Sequence, residues 1–383
     1  VRTRPHPDIP ARADRRSRPR PRSMHVHPEE KSVSLSAREF AEFQEATNLN
    51  RSAGAGFWRA AIGQAWHKEL SLREEARGRD ARFEVPIEGT WIEGDWKLNL
   101  QGRIDQVVPV DETRVRFVEV KTVRDPLPLS AEDLETRFRS YFYQLAVYGA
   151  LARVVPQWKD TTVETLLCFV DIASGIQQEV PLPREAESLV AEQFARLRPF
   201  LEARRTGLRR RRNLRYAPPF ETYRPGQAET LALLRRLGSA GRPILLEAPT
   251  GFGKTGIALE YAFESLRSGA FDRLLYLTSK STGQIQAVRQ LEQMLPRDLD
   301  PPRYFQIRNR SEHEQGQDWE PSEDDPPPET LWKTSGLHPA SLQEEHPLNL
   351  EDIILLSNRT HIPAYEITRA VLPYADIWVG DTN

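Results

Sequence analysis

Asp105, Glu119 and Lys121 bring two carboxylates and an amine into one short stretch of this chain. Glu119 and Lys121 are two apart in an apolar run that reads as a strand, so both side chains leave the same face, with Val115 and Phe117. Val118 and Val120 point the other way, and apolar neighbours on both faces mark a central strand. Charges at the end of such a strand are costly to bury unless a metal or a substrate satisfies them. Asp105 lies on the preceding strand, one turn away. A hairpin would set its carboxylate against Glu119, close enough to share a hard divalent cation. Mg²⁺ takes oxygen ligands and keeps several waters. It lowers the pKa of a bound water and stabilises charge at a phosphoryl centre, and Lys121 would position the attacking water or neutralise the phosphate. Alone, the same pattern also fits an ordinary surface hairpin. Its company counts: Gly63 and His67 four apart upstream, Gly102 three before Asp105, and Gln144 and Tyr148 four apart downstream, on one helix face.

A second chemistry sits in the other half. Ala248-Pro-Thr-Gly-Phe-Gly-Lys-Thr255 follows the apolar run Ile244–Leu246 and opens a helix, the context a phosphate-binding loop requires. Gly251 and Gly253 let the backbone fold around an anion, and the N–H groups at the helix start, with Thr250 in the loop, attract it. Lys254 would reach the β- and γ-phosphates and the Thr255 hydroxyl would hold Mg²⁺.

The elements needed to position these groups are legible as patterns. Ser36–Phe43 starts with a capping-box spacing, Ser36 to Glu39. Gly56–Leu72 has helical apolar spacing. Strands are expected at Arg82–Ile87, Trp91–Leu98, Gly102–Pro109 and Arg114–Lys121, with turns at Gly or Asp-Glu. Leu134–Ala152 reads as a long helix, Thr162–Asp171 as a strand and Leu189–Glu202 as a helix. Arg204–Arg215 followed by Pro218–Pro219 reads as a solvated linker that could also touch phosphate. Beyond it, strand Ile244–Glu247, helix Thr255–Leu266, strand Arg273–Thr278 and helix Gly283–Leu295 predict a parallel sheet. Residues 311–350 lose periodicity, and Ile353–Ser357 and Ile377–Val379 are strand-like again.

GQAWH (63–67), GRID (102–105), EVK (119–121) and QLAVY (144–148) follow the order and spacing of the RecB-like branch of the PD-(D/E)XK nucleases, which this chain resembles over residues 33–205. The resemblance implies that His67, Asp105 and Glu119 ligate Mg²⁺ or Mn²⁺, with the Val120 carbonyl as a further ligand. It makes Lys121 catalytic, and Gln144 and Tyr148 supports of the site and the DNA backbone. Ile104, where many relatives carry proline, is a departure. Residues 220–383 resemble the front part of an XPD/DinG-like superfamily-two helicase through LLEAPTGFGKT (245–255), LLYLTSKSTGQIQAV (274–288) and PYADIWVGDTN (373–383). Tyr223–Gln227 is similar to the adenine-sensing segment, which implies that Gln227 bonds the base edge of ATP; Thr278 would grip the DNA backbone. The first loop position is Ala248 instead of glycine. No DExH box follows residue 300, and Asp324–Asp325 lies in a proline-rich loop, so the motor is expected to be incomplete.

The expected fold is therefore α/β: a mixed-sheet nuclease domain, then a partial RecA-like parallel-sheet P-loop domain. The boundaries read as a disordered basic arm or mis-assigned start over 1–32, a nuclease domain over 33–205, a basic linker over 206–219 and a motor portion over 220–383. The 383 residues are 39% hydrophobic and 28% charged, as in a globular protein, and no apolar run is long enough to span a membrane. Cys168 is the single cysteine, which excludes an intrachain disulfide and an iron–sulfur cluster and fits a cytoplasmic setting. The net charge of −2 says nothing about nucleic acid; Arg2 to Arg22 form a basic, proline-rich start without the apolar core of a secretion signal. The function expected is a helicase–nuclease acting on DNA in repair or defence. The alternative is a non-cleaving DNA-binding module that guides a motor.

Overall fold

The computed structural model describes residues 24–44, 80–183, 186–238, 243–320, 322, 325–326, 328–344 and 348–381. The expected helix Gly56–Leu72 with His67, and the basic start before Met24, lie outside the described residues.

β1 (His25–His27) and β2 (Ser32–Ser36) form an antiparallel pair, so the end of the expected disordered arm is ordered sheet. Ser36 closes β2 and caps α1 (Ala37–Ala41) through the expected box with Glu39. β3 (Arg82–Glu93) and β4 (Trp96–Pro109) are one long hairpin, turning at Gly94, whose φ of +60° suits a residue without Cβ. The expected turns near Gly89 and Gly102 do not form. Gly89 stays within the strand because a Cβ there would sit 3.2 Å from Leu151 of the helix above; close approach of backbone to helix, not a turn, needs this glycine. β5 (Arg114–Val123) follows, then α2 (Ala131–Arg137) and α3 (Arg139–Val154), which divide the single expected helix at Phe138. β6 (Thr162–Asp171) matches its expectation, and β7 (Gln177–Leu182) adds a hairpin partner.

These seven strands form a mixed sheet in the order β1-β2-β4-β5-β6-β7, with β3 on the other edge of β4. β5 is central, antiparallel to β4 and parallel to β6. The edge of β4 that faces β5 is shared. β2 pairs with residues 97–101 and β5 with residues 106–109, so residues 102–105 have no strand partner on that edge. α3 lies across the sheet with its buried Phe142, Leu145 and Leu151 in the main core beside Leu98, Leu100, Ile104 and Phe117.

α4 (Glu187–Arg212) runs straight through the segment expected to be a linker. Arg210 and Arg211, which the sequence pattern assigns to a solvated tether, are 6% and 1% exposed. Arg211 is ion-paired with the fully buried Asp376, and Arg210 with Glu344, which also pairs with Arg303. Within the basic run, Arg210 and Arg211 thus form the contact by which α4 meets the second half, since buried charges persist only when paired.

That half contains α5 (Gln227–Gly238), α6 (Lys254–Ser268), β8 (Leu274–Thr278), α7 (Ser281–Met294), β9 (Tyr304–Gln306), α8 (Arg310–Glu314), α9 (Pro328–Ser335), α10 (Pro339–Glu344), α11 (Leu350–Thr360), α12 (Ala364–Val371) and β10 (Ile377–Asp381). β8, β10 and β9 make a parallel sheet in that order. Phe263 of α6 and Leu291 of α7 pack on Ile377 and Val379. Two expectations fail here. Ile244–Glu247 forms no strand, and Leu245 is 97% exposed. Ile353–Ser357 lies in α11, which Asn349 and Asp352 cap reciprocally; a short apolar run is ambiguous, and the cap decides it. Residues 311–350, where the sequence loses periodicity, carry short helices.

Candidate functional site

The unpaired window of β4 is where the first set of residues converges. The β4–β5 ladder ends at the pair Gln106↔Val118. One residue further, the Asp105 carboxylate replaces a backbone partner: its Oδ2 accepts the Val120 N–H at 2.8 Å. Arg103 is served in the same way, its carbonyl accepting the Tyr148 hydroxyl at 3.1 Å. Side chains thus satisfy a ladder that has been opened, which keeps the gap from costing unpaired backbone groups.

Gly102 makes room for this. A Cβ on it would lie 2.5 Å from the Tyr148 ring, so any larger residue would push that ring out. The pattern of strand and turn suggested a turn glycine; the reason for it is a close approach of helix α3.

Glu119 and Lys121 leave β5 toward α3, as their spacing predicts. Glu119 is 2% exposed. Lys121 Nζ donates to Glu119 Oε1 at 2.8 Å and to Gln144 Oε1 at 2.9 Å. Gln144 Nε2 donates to Glu119 Oε1 at 2.7 Å and to the Tyr148 hydroxyl oxygen at 2.9 Å. The sequence-predicted Glu119, Lys121, Gln144 and Tyr148 are therefore one hydrogen-bonded set, and the predicted Asp105 meets it at the Val120 N–H between Glu119 and Lys121. Tyr141, which the sequence reading did not select, joins it: the Lys121 ammonium sits 5.0 Å from its ring centroid. Its position seven before Tyr148, two helical turns on the same face, was the available signal.

The electrostatics of this set are those of a site lacking positive charge. Burial, then the neighbouring Glu119 charge, push the Asp105 carboxyl up to about 8, against the pull of Lys121 and the Val120 N–H. Burial works against the Lys121 ammonium, but Glu119 and Asp105 outweigh it and hold its pKa above the usual lysine value. Burial, then Glu119, raise the Tyr148 phenol, which stays a hydrogen-bond donor. Glu119 Oε2 is buried without a hydrogen-bond partner, and an orphaned carboxylate oxygen in a closed site is costly. Glu119 Oε2 and the raised Asp105 carboxyl fit a hard divalent cation, which one or two carboxylates plus waters suffice to hold. Among the described residues no set of three His, Cys, Asp or Glu side chains converges for a metal; His67 lies outside them.

A model of the PD-(D/E)XK nuclease superfamily matches residues 17–218, just over half of the 383. The chain belongs to the PD-(D/E)XK nuclease superfamily. Its mixed sheet fits that superfamily, whose members hydrolyse phosphodiesters with Mg²⁺ or Mn²⁺. The solved structure of SSO0001 is similar over 45% of this chain and 76% of its own, with 15% identity and a TM-score of 0.30. No curated protein matches the chain. The PD-(D/E)XK match stops at Pro218, so the expected motor over 220–383 draws no support from it. No helix among the described residues is long and apolar enough to cross a membrane.

In this PD-(D/E)XK protein the glycine loop is a separate place. Gly251 and Gly253 have φ of +79° and +91°, and α6 starts at Lys254. Lys254 Nζ donates to the Ala248 and Pro249 carbonyls at 2.7 and 2.9 Å, while Thr255 Oγ1 and the Tyr276 hydroxyl lie 3.2 Å apart. Thr250 is exposed at the turn. Gln227 does not present a free amide for a base. It is 1% exposed, its Oε1 accepts the Arg224 N–H at 2.8 Å, and its Nε2 donates to the Phe252 carbonyl at 2.6 Å. The residue expected to sense adenine braces the loop, because burial forces both ends of an amide to find protein partners.

Proposed function

We propose that this chain is a Mg²⁺- or Mn²⁺-dependent DNA nuclease, with Asp105, Glu119 and the Val120 carbonyl as metal ligands and Lys121 as the catalytic amine. The observation that carries this reading is the buried, donorless Glu119 Oε2 beside the raised Asp105 carboxyl, at an opened strand junction. The N–H and C=O of one extended residue leave a strand on the same side. The Val120 N–H reaches Asp105, so its carbonyl faces the same gap. His67 enters as a further ligand from the family resemblance alone.

A cation held there supplies a bound water of lowered pKa and positive charge beside the phosphoryl oxygens. The protein's own groups do the rest. Lys121 keeps its proton and sets a fixed ammonium against the negative charge that builds on the phosphate. Gln144 locks Glu119 and Lys121 in place, and Tyr148 locks Gln144. Wild-type protein is expected to nick DNA with Mg²⁺ or Mn²⁺ and to stop in EDTA, while Lys121→Ala, folded by circular dichroism, is silent. A folded wild type inert with both metals on single- and double-stranded DNA would leave the non-cleaving DNA-binding module as the better reading.

We further propose that Thr250 to Thr255 bind the phosphates of a nucleotide such as ATP, with the Thr255 hydroxyl on an accompanying Mg²⁺. The support is local: two glycines at positive φ, a helix of fifteen residues starting at the loop, and Lys254 at its mouth. The superfamily-two helicase assignment rests on sequence resemblance only. Equilibrium dialysis with ATP tests the loop, and Lys254→Ala is expected to remove what binding exists.

A further inference from the structure

β3 contains one backbone conformation that a long strand does not call for. Glu84 has φ of +54°, the left-handed region that residues with a Cβ avoid. It falls at the one position missing from the β3–β4 pairing, between the pairs Phe83↔Gln106 and Val85↔Ile104 and opposite Asp105, with the register unshifted across it. Backbone strain of this kind collects beside active sites. From this position Glu84 Oε2 lies 2.9 Å from Arg103 Nη1. The Glu84 charge also reaches Asp105, raising its pKa, so the Glu84–Arg103 pair stands at the rim of the cutting site.

The two halves of Arg103 are held very differently. Its carbonyl is tied to Tyr148 at 3.1 Å, so its main chain is part of the catalytic network. Its side chain is 51% exposed, and Glu84 57%. An exposed ion pair contributes little and opens readily. A guanidinium fork on a fixed backbone, two residues from a metal-binding carboxylate, matches a phosphate diester better than a single carboxylate oxygen.

We infer that Arg103 grips a DNA backbone phosphate adjacent to the one being cut, and that Glu84 occupies the place of that phosphate until substrate arrives. The inference rests on the nuclease reading of the site and adds the residue that registers the strand. Substrate exchanges one anion for another on Arg103, with no change in protonation. Other Arg–Glu pairs on this surface lack the link to Tyr148 and the backbone strain.

The test is fluorescence anisotropy of a labelled single-stranded oligonucleotide in EDTA, where cutting cannot obscure binding, over a salt series. Arg103→Gln is expected to weaken binding about tenfold and to lower the slope of log K against log salt by about 0.7. Arg103→Lys keeps the slope and recovers part of the affinity. Glu84→Gln removes the competing carboxylate and tightens binding, by about threefold. An unchanged affinity and slope in folded Arg103→Gln, or weaker binding in Glu84→Gln, overturns the inference. If Arg103→Gln does not fold, Glu84→Gln and Arg103→Lys decide it. Wild type that binds DNA but never cuts removes the nuclease reading and leaves the Arg103 contact standing; wild type that cuts while Arg103→Gln binds normally removes the contact alone.

Discussion

Residues 102–148 and residues 248–255 both carry a recognisable pattern, and the fold treats them differently. In the first, the side chains of Glu119, Lys121, Gln144 and Tyr148 close into a single hydrogen-bonded set, and Asp105 from β4 accepts the Val120 N–H between Glu119 and Lys121. In the second, the glycines adopt the left-handed turns that their types allow, but the strand that should hold the loop is absent and Leu245 is bare. A contiguous motif needs only local backbone freedom to look right. A dispersed one looks right only if the whole topology is right, so the convergence of Asp105, Glu119 and Lys121 is the more demanding match of sequence to structure.

The contrast can be broken most sharply by mutation. Asp105→Asn is expected to cut metal-dependent cleavage by on the order of 10³, whereas Lys254→Ala leaves it unchanged; a plasmid-nicking assay compares the two, and equal losses would make the two places one site. Asp376→Ala strands Arg211 without its buried partner and is expected to destabilise the protein by about 3–5 kcal/mol, seen as a lower urea midpoint. If that variant also loses cleavage at temperatures where it is folded, the two regions are coupled through α4. Gly102→Ala sets a methyl against the Tyr148 ring and is expected to cost about 1–3 kcal/mol and to reduce cleavage more than its fold. The smallest effect is a pH dependence. Asp105 holds its proton below about 8, and a cation must displace it, so Mn²⁺ affinity by calorimetry is expected to rise from pH 6 and level off near pH 8. Asp105→Asn should flatten that rise.

The sheet core was legible because its strands alternate or run apolar between turn signals: β5 and β6 came out as read, and the parity of Glu119 and Lys121 held. The Arg209–Arg212 run was misread because charge in sequence says nothing of partners. Arg211 finds Asp376 far along the chain, and that pairing turns a tether into a buried seam. Gln227 makes a similar point, since only its burial shows that both ends of its amide have protein partners.

The order of residue types alone determined which groups could do chemistry here, two carboxylates, an amine, an amide and a phenol, because spacing by two and by four sets their faces locally. Only the tertiary structure decided that β2 and β5 leave a four-residue gap on β4, that Gly102 clears the way for Tyr148, and that Glu84 takes a left-handed backbone conformation within β3 opposite Asp105. Those features come from strands and a helix meeting in space, and chain order carries no information about which edges remain unpaired once they meet.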